Sequence, residues 1–237
     1  MTGNPEFYCL CSPLFGDSDE IQPLYGVADW YETYRDADTV DEVDYEQVTC
    51  PLGPKHMRAG KRIGNLNLEL PTPHLSDFVW TVMSECVITD RVFQLFRSAG
   101  FTGFQVRDAT IAKVKRLRKG SQVVLPRVWE LLVTGAGGDA HPDSGIRRLY
   151  VCSGCGLQRY SSFRNGIVVE SSHWGGSDFF TVNGYPRFIL ITERVKDTII
   201  RNKLTNCAIF RSQDLRWKSL TRPEDHPEDF MPTRLPR

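Results

Sequence analysis

Apolar residues in this chain come in short runs and in short helical patterns. Phe7-Tyr8-Cys9-Leu10-Cys11 is apolar throughout and predicts an edge strand. Asn67-Leu68-Glu69-Leu70-Pro71 alternates and stops at proline, so it predicts a short strand. Asp77-Phe78-Val79-Trp80 is a further apolar run. From Cys86 the pattern sharpens. Val87-Ile88 closes an apolar run, Thr89 stands where its side-chain oxygen can cap a helix, and Asp90 suits the positive first turn. Val92, Leu95, Phe96 and Ala99 follow at helical spacing, and Gly100 can end the helix in a left-handed conformation. Phe104-Gln105-Val106 then reads as a strand.

Further on, Ile111, Val114 and Leu117 alternate with Lys113, Lys115, Arg116, Arg118 and Lys119, a pattern that fits a short amphipathic helix or a strand. Val128 to Val133 predicts a strand, Thr134 to Gly145 a glycine-rich loop, and Leu149-Tyr150-Val151 a strand leading into Cys152. Tyr185 to Ile191 predicts a strand, Thr192 to Lys203 a helix and Cys207 to Phe210 a strand. Cys50 to Gly64, rich in glycine, proline and basic residues, reads as loop.

A shift of 103 positions aligns two of these segments without a gap. Ile88-Thr89-Asp90-Arg91-Val92 meets Ile191-Thr192-Glu193-Arg194-Val195, and Phe101-Thr102 meets Leu204-Thr205. Each copy reads strand, threonine cap, acid, arginine, amphipathic helix, strand. The expected fold is α+β, with a mixed or antiparallel sheet, two related strand–helix–strand units and a degenerate zinc knuckle. One globular region over 1–220, with subdomains at about 1–148 and 149–220, is expected, followed by a disordered tail over 221–237.

Composition narrows the function classes. The chain has 237 residues, 41% hydrophobic and 24% charged, with formal net charge zero. A dedicated nucleic-acid binder usually carries a basic excess, so nucleic acid is the disfavoured partner. No apolar stretch approaches the ~18–20 residues that span a bilayer, and the N-terminus lacks a secretory pattern. Seven cysteines, scattered except for two close pairs, do not form a secreted disulfide framework. The cytoplasm is the expected compartment.

Cys152-Ser153-Gly154-Cys155-Gly156 is the sharpest local motif. Two thiolates three positions apart can share a metal when the backbone turns tightly, and Gly156 permits that turn. Cys50-Pro51-Leu52-Gly53 looks like a second knuckle lacking its second cysteine, with His56 close behind. Cys50, His56, Cys152 and Cys155 would make a sound structural zinc site; Cys9 and Cys11 are rival ligands.

These residues resemble the double-CXXCG family, a paralogue family of Myxococcus with members described as immunity proteins. The likeness is carried by Cys152 to Gly156, by the block Ser177-Asp178-Phe179-Phe180-Thr181 through Ile191-Thr192-Glu193-Arg194-Val195, and by the order of the two cysteine motifs. In place of the family's first full CXXCG stands Cys50-Pro51-Leu52-Gly53. The resemblance implies a non-catalytic protein that neutralises a cognate bacterial toxin by direct binding.

The residues themselves agree with a binding role. GxSxG, HExxH, Walker A and GxGxxG patterns are all missing. The acidic, aromatic stretch holding Trp30, Tyr31, Tyr34, Asp36, Asp38 and Asp41 is the expected partner-binding surface, since aromatics anchor interfaces and acids steer a basic partner. The surface around His173, Trp174, Asp178 and Phe179 is the alternative. The competing function is a zinc-knuckle nucleic-acid-binding or regulatory protein, with the basic run Lys113 to Lys119 on phosphates.

Overall fold

Apolar runs buried on both faces build the frame of this protein. The computed structural model describes residues 5–13, 23–26, 38–39, 45–81, 84–116, 124–161, Phe163 and 165–215. The expectations for Trp30, Tyr31, Tyr34, Asp36 and Asp41, for Leu117, Arg118 and Lys119, and for the tail from 221 lie outside these residues. Asp38 is described only as backbone, in a short strand.

The first strands are β1 (Phe7–Cys11), β2 (Tyr25–Gly26), β3 (Asp38–Thr39), β4 (Tyr45–Val48), β5 (Arg58–Arg62), β6 (Leu66–Leu70), β7 (Phe78–Trp80) and β8 (Cys86–Thr89). Helix α1 (Asp90–Ser98) leads to β9 (Phe104–Val114), β10 (Val128–Val133), β11 (Gly135–Ala136), β12 (Arg148–Val151) and β13 (Gln158–Tyr160). Then come β14 (Phe179–Thr181), β15 (Ile189–Thr192), α2 (Glu193–Arg201) and β16 (Ala208–Arg211). The protein is thus mixed α/β and rich in sheet. No helix among the described residues is long and apolar enough to cross a membrane.

Two six-stranded sheets carry the core, in the orders β3-β6-β9-β10-β8-β7 and β11-β14-β15-β1-β16-β2. Most pairs are antiparallel; β6 with β9 and β11 with β14 are parallel. The second sheet draws β1 from the N-terminus and β11 from mid-chain, so its strands are gathered from distant sequence. β1 is not the expected edge strand: it pairs with both β15 and β16. The physical reason is its burial at every position, which suits a central strand covered on both faces.

Strand alternation divides the apolar side chains. Tyr8, Leu10, Phe78, Ile88, Phe179, Ile191 and Ile209 join Val92 and Phe96 of α1 and Val195 and Ile199 of α2 in one central core. The opposite faces pack separately. Phe7, Cys9, Phe180, Leu190 and Phe210 meet Phe163, Ile167, Tyr185 and Phe188 on one side. Leu66, Leu68, Val79, Val87 and Val128 pack together on the other. The expected strand over Tyr185 to Ile191 begins only at Ile189, because Tyr185 and Phe188 turn through bonds to the carbonyls of Val182 and Tyr185. The basic run is strand as far as Val114, with Lys113 and Lys115 both on Glu69 at 2.7 and 2.8 Å.

Both helices end alike. The N–H of Gly100 bonds to Arg97 and that of Phe101 to Phe96, with Gly100 at φ 63°. The N–H of Lys203 bonds to Ile200 and that of Leu204 to Ile199, with Lys203 at φ 49°. This is the paired closure of a helix C-terminus around one left-handed residue. Thr89 and Thr192 stand at the two N-cap positions in extended conformation, but neither side chain bonds the helix as expected. The Thr192 hydroxyl donates to the Asp178 carboxylate at 3.0 Å, a charge-assisted bond that turns it away from the helix N–H groups.

Reciprocal hydrogen bonds tie the loops after the helices to the strands of the opposite sheet. Asp77 accepts from the N–H and hydroxyl of Thr205 at 3.0 and 3.3 Å. Asp178 accepts from the N–H and hydroxyl of Thr102 at 2.9 and 3.2 Å. Arg91 reaches Asp77 at 2.5 Å and the Asn202 carbonyl at 3.2 Å; Arg194 reaches Asp178 at 3.2 Å and the Ala99 carbonyl at 2.8 Å.

Candidate metal centre

Two hairpins outside the sheets build the site. β4 and β5 form one, β12 and β13 the other. The segment expected to be loop between Cys50 and Gly64 holds a 3-10 turn at Pro54–His56 and then β5. Proline at the start of that turn fixes its φ and needs no N–H partner there. The turn brings His56 back onto Cys50. In the second hairpin the N–H of Gly156 bonds to the Cys152 carbonyl at 2.9 Å and that of Cys152 to Leu157 at 2.8 Å. Gly156 has φ 68°, the conformation the knuckle requires. Gly154 lets the hairpins close on each other: a Cβ there would sit 2.8 Å from the Leu52 side chain.

The four expected ligands converge. Cys50 Sγ lies 3.4 Å from His56 Nδ1 and 3.6 Å from Cys152 Sγ. His56 Nδ1 lies 3.2 Å from Cys152 Sγ and 3.9 Å from Cys155 Sγ. All four donor atoms fall within 4.8 Å of one another. A tetrahedral ion with metal–sulfur bonds of about 2.3 Å and metal–nitrogen bonds of about 2.1 Å sets donor–donor edges of roughly 3.6–3.8 Å. The separations, from 3.2 Å up to at most 4.8 Å, bracket those edges, so the cluster is compatible with a metal site.

The surroundings suit thiolates. Burial opposes ionisation of Cys152, but the N–H groups of Cys155 and Gly154, with help from Tyr150 and Cys50, outweigh it and bring the thiol down to about 6. Tyr150 is pushed up to about 12, first by burial and then by its bond to Cys152. Burial and the neighbouring thiols hold Cys50 up, against one N–H from Leu52. Arg58 donates to Cys155 Sγ and to the Cys155 carbonyl, each at 3.3 Å, placing a positive charge beside the sulfurs. His56 is 4% exposed, and its Nε2 has no hydrogen-bond partner among the described residues. The imidazole is therefore committed to the cluster through Nδ1 alone.

No protein-family model matches the chain, and a search of curated proteins finds no match.

The rival ligands are elsewhere. Cys9 and Cys11 are buried in β1, where Cys11 faces the Ala208 carbonyl at 3.7 Å and burial drives its thiol well above the ordinary range. All seven cysteines are free thiols. Of the expected partner surface, Asp38 is placed only by the pairing of β3 with β6.

The alternative surface around Trp174 borders a cavity of about 490 Å³ lined by Glu6, Phe7, Thr102, Trp174, Asp178 and Arg194, among others. Its charges are already engaged: Asp178 with Arg194, Thr102 and Thr192, and Glu6 with Arg211 and Tyr8. Asp178 and Arg194 thus work as a staple between the sheets.

Sequence reasoning missed the buried pair of Arg62 on β5 and Glu130 on β10, which ties the first hairpin to the core sheet. The signal was available, since an acid inside the apolar strand Val128–Val133 needs a cation when buried. It also missed Asp77 and Asp178 as counterparts, because their spacing of 101 slips by two from the repeat.

Proposed function

We propose that this chain is a non-catalytic binding protein of the immunity type, in which Cys50, His56, Cys152 and Cys155 hold a structural zinc. The observation that carries the reading is the closed set of four protein donors. Three thiolates and an imidazole at tetrahedral spacing suit zinc, and four protein ligands leave no position for a substrate or an activated water. Bound zinc would supply cross-linking, not reaction chemistry. The need for it is physical. None of residues 45–63 belongs to any of the three apolar clusters, so this hairpin lacks a core of its own to hold it. Arg58 would offset the net negative charge of a zinc bound by three thiolates.

The resemblance to the double-CXXCG family supports a toxin as the partner. On this reading, one cysteine of the first knuckle has been replaced in function by His56. The matching helix ends and reciprocal bonds also support descent of the two strand–helix–strand units from one ancestor.

Elemental analysis of purified protein is expected to show one zinc per chain, and Cys152→Ser to release it with loss of order in both hairpins. A metal-free protein whose hairpins stay ordered would end the zinc reading.

A further inference from the structure

The hairpins of the metal centre are unusual in what they show to solvent. Eight large apolar side chains are exposed among the described residues, and five of them, Tyr45, Leu52, Met57, Ile63 and Val151, belong to these hairpins or adjoin them. Met57 is 53% exposed and Val151 48%, far beyond what packing explains. Tyr45, Met57 and Arg58 share a shallow groove of about 410 Å³ with Glu46 and Gln47. Leu52 rests against the Cys152–Cys155 turn, so the two hairpins present one surface.

Charge on this surface is one-sided. Residues 45–63 and 147–160 contain seven lysines and arginines against the single acid Glu46, in a chain whose net charge is zero. Arg62 is buried and neutralised by Glu130. Lys61, Arg147, Arg148 and Arg159 are exposed, and Arg58 is half-exposed beside the sulfurs. The −1 charge of a zinc bound by three thiolates does not cancel them.

We propose that this face of the two metal-held hairpins is the docking surface of the protein and that it receives an acidic protein surface. Exposed apolar side chains on hairpins that carry one sign of charge are the signature of a binding patch, and methionine, tyrosine and arginine are the types enriched there. An acidic protein fits better than nucleic acid. Of the five strongly exposed apolar side chains only Tyr45 is aromatic, and Tyr150 and Tyr160 are half-buried, whereas single-stranded nucleic acid is held by stacked exposed aromatics. The metal would hold the surface in shape, which lowers the ordering cost of binding. The proposal rests on the immunity-type reading and names its surface.

The test uses full-length, zinc-loaded protein and a toxin-like protein sought among the reading frames beside its gene, with binding followed by interferometry; a neighbourhood that encodes none counts against the immunity reading. Two variants change exposed residues, Met57→Glu and Lys61→Glu/Arg148→Glu, and each is checked for zinc content and circular dichroism. Met57→Glu is expected to weaken binding at least tenfold, and the double reversal to slow association and flatten its salt dependence. If the wild type does not bind that protein, the immunity reading itself falls, and this surface with it. If the wild type binds and both variants bind equally well, the surface is wrong while the immunity reading stands. Weakening confined to Trp30→Ala/Tyr34→Ala would overturn the surface in favour of the acidic, aromatic segment. Tighter, salt-dependent binding of a twenty-nucleotide RNA would overturn the acidic protein as occupant.

Discussion

The two strand–helix–strand regions, Cys86 to Val114 and Ile189 to Arg211, solve one local problem twice and differ in how the chain leaves. In each, a strand enters a nine-residue helix, a left-handed residue closes it, and the next strand returns beside a central strand antiparallel to both. In the first region that central strand is β10, which follows in sequence. In the second it is β1, from the far N-terminus. After β10 the chain must cross to the other sheet, where β11 pairs with β14. It passes over the loop of the first region, with the N–H groups of Thr134 and Gly135 both on the Gly103 carbonyl. Gly103 at φ 80° matches Asn206 at φ 58°, so the same left-handed turn takes glycine where the Phe179 carbonyl would meet a Cβ and asparagine in the other copy.

The largest expected effect tests that crowding. A Cβ on Gly103 would lie 2.0 Å from the Phe179 carbonyl oxygen, so Gly103→Ala should cost about 3 kcal/mol or more in urea denaturation. Asn206→Gly should cost only about 1 kcal/mol, for the bond from its side-chain amide to Phe78. Equal costs at the two positions would mean that the approach of the Phe179 carbonyl does not set the difference.

Next come the paired carboxylates. Asp77→Ala and Asp178→Ala each strand a backbone N–H, a threonine hydroxyl and an arginine, and each should lose roughly 2–4 kcal/mol. Asp178 should lose more, because it also holds Thr192. If one loss is large and the other negligible, the two regions are not energetic equivalents.

The smallest effect differs in direction between the regions. Thr192→Val removes a hydroxyl bound to Asp178 and should cost about 1 kcal/mol. The Thr89 hydroxyl is buried without a partner among the described residues, so Thr89→Val should be neutral or slightly stabilising. A shift of denaturation midpoint in the same direction for both would remove this contrast.

Sequence alone determined both helices, most of the strands and the Cys/His donors that form the cluster, but not β5, which lies where it reads as loop. Periodicity located both helices and their returning strands, because apolar spacing and helix-end chemistry act within a few residues. The knuckle at Cys152 and the pairing of Cys50 with His56 were legible because metal chemistry demands those donors at short spacing. Tertiary structure decided what depends on distant residues meeting. Phe7–Cys11 reads as an edge from its own composition, but burial on both faces places it in the centre of a sheet. The threonines read as caps, yet one hydroxyl turns to a carboxylate fourteen positions away. Which side chains join Cys152 and Cys155 was open among Cys50, His56, Cys9 and Cys11 until two hairpins, 102 residues apart at Cys50 and Cys152, brought Cys50 and His56 to them. Neighbours in sequence fix conformation, whereas contacts across such spans depend on which buried surfaces pack together, and no local pattern encodes that.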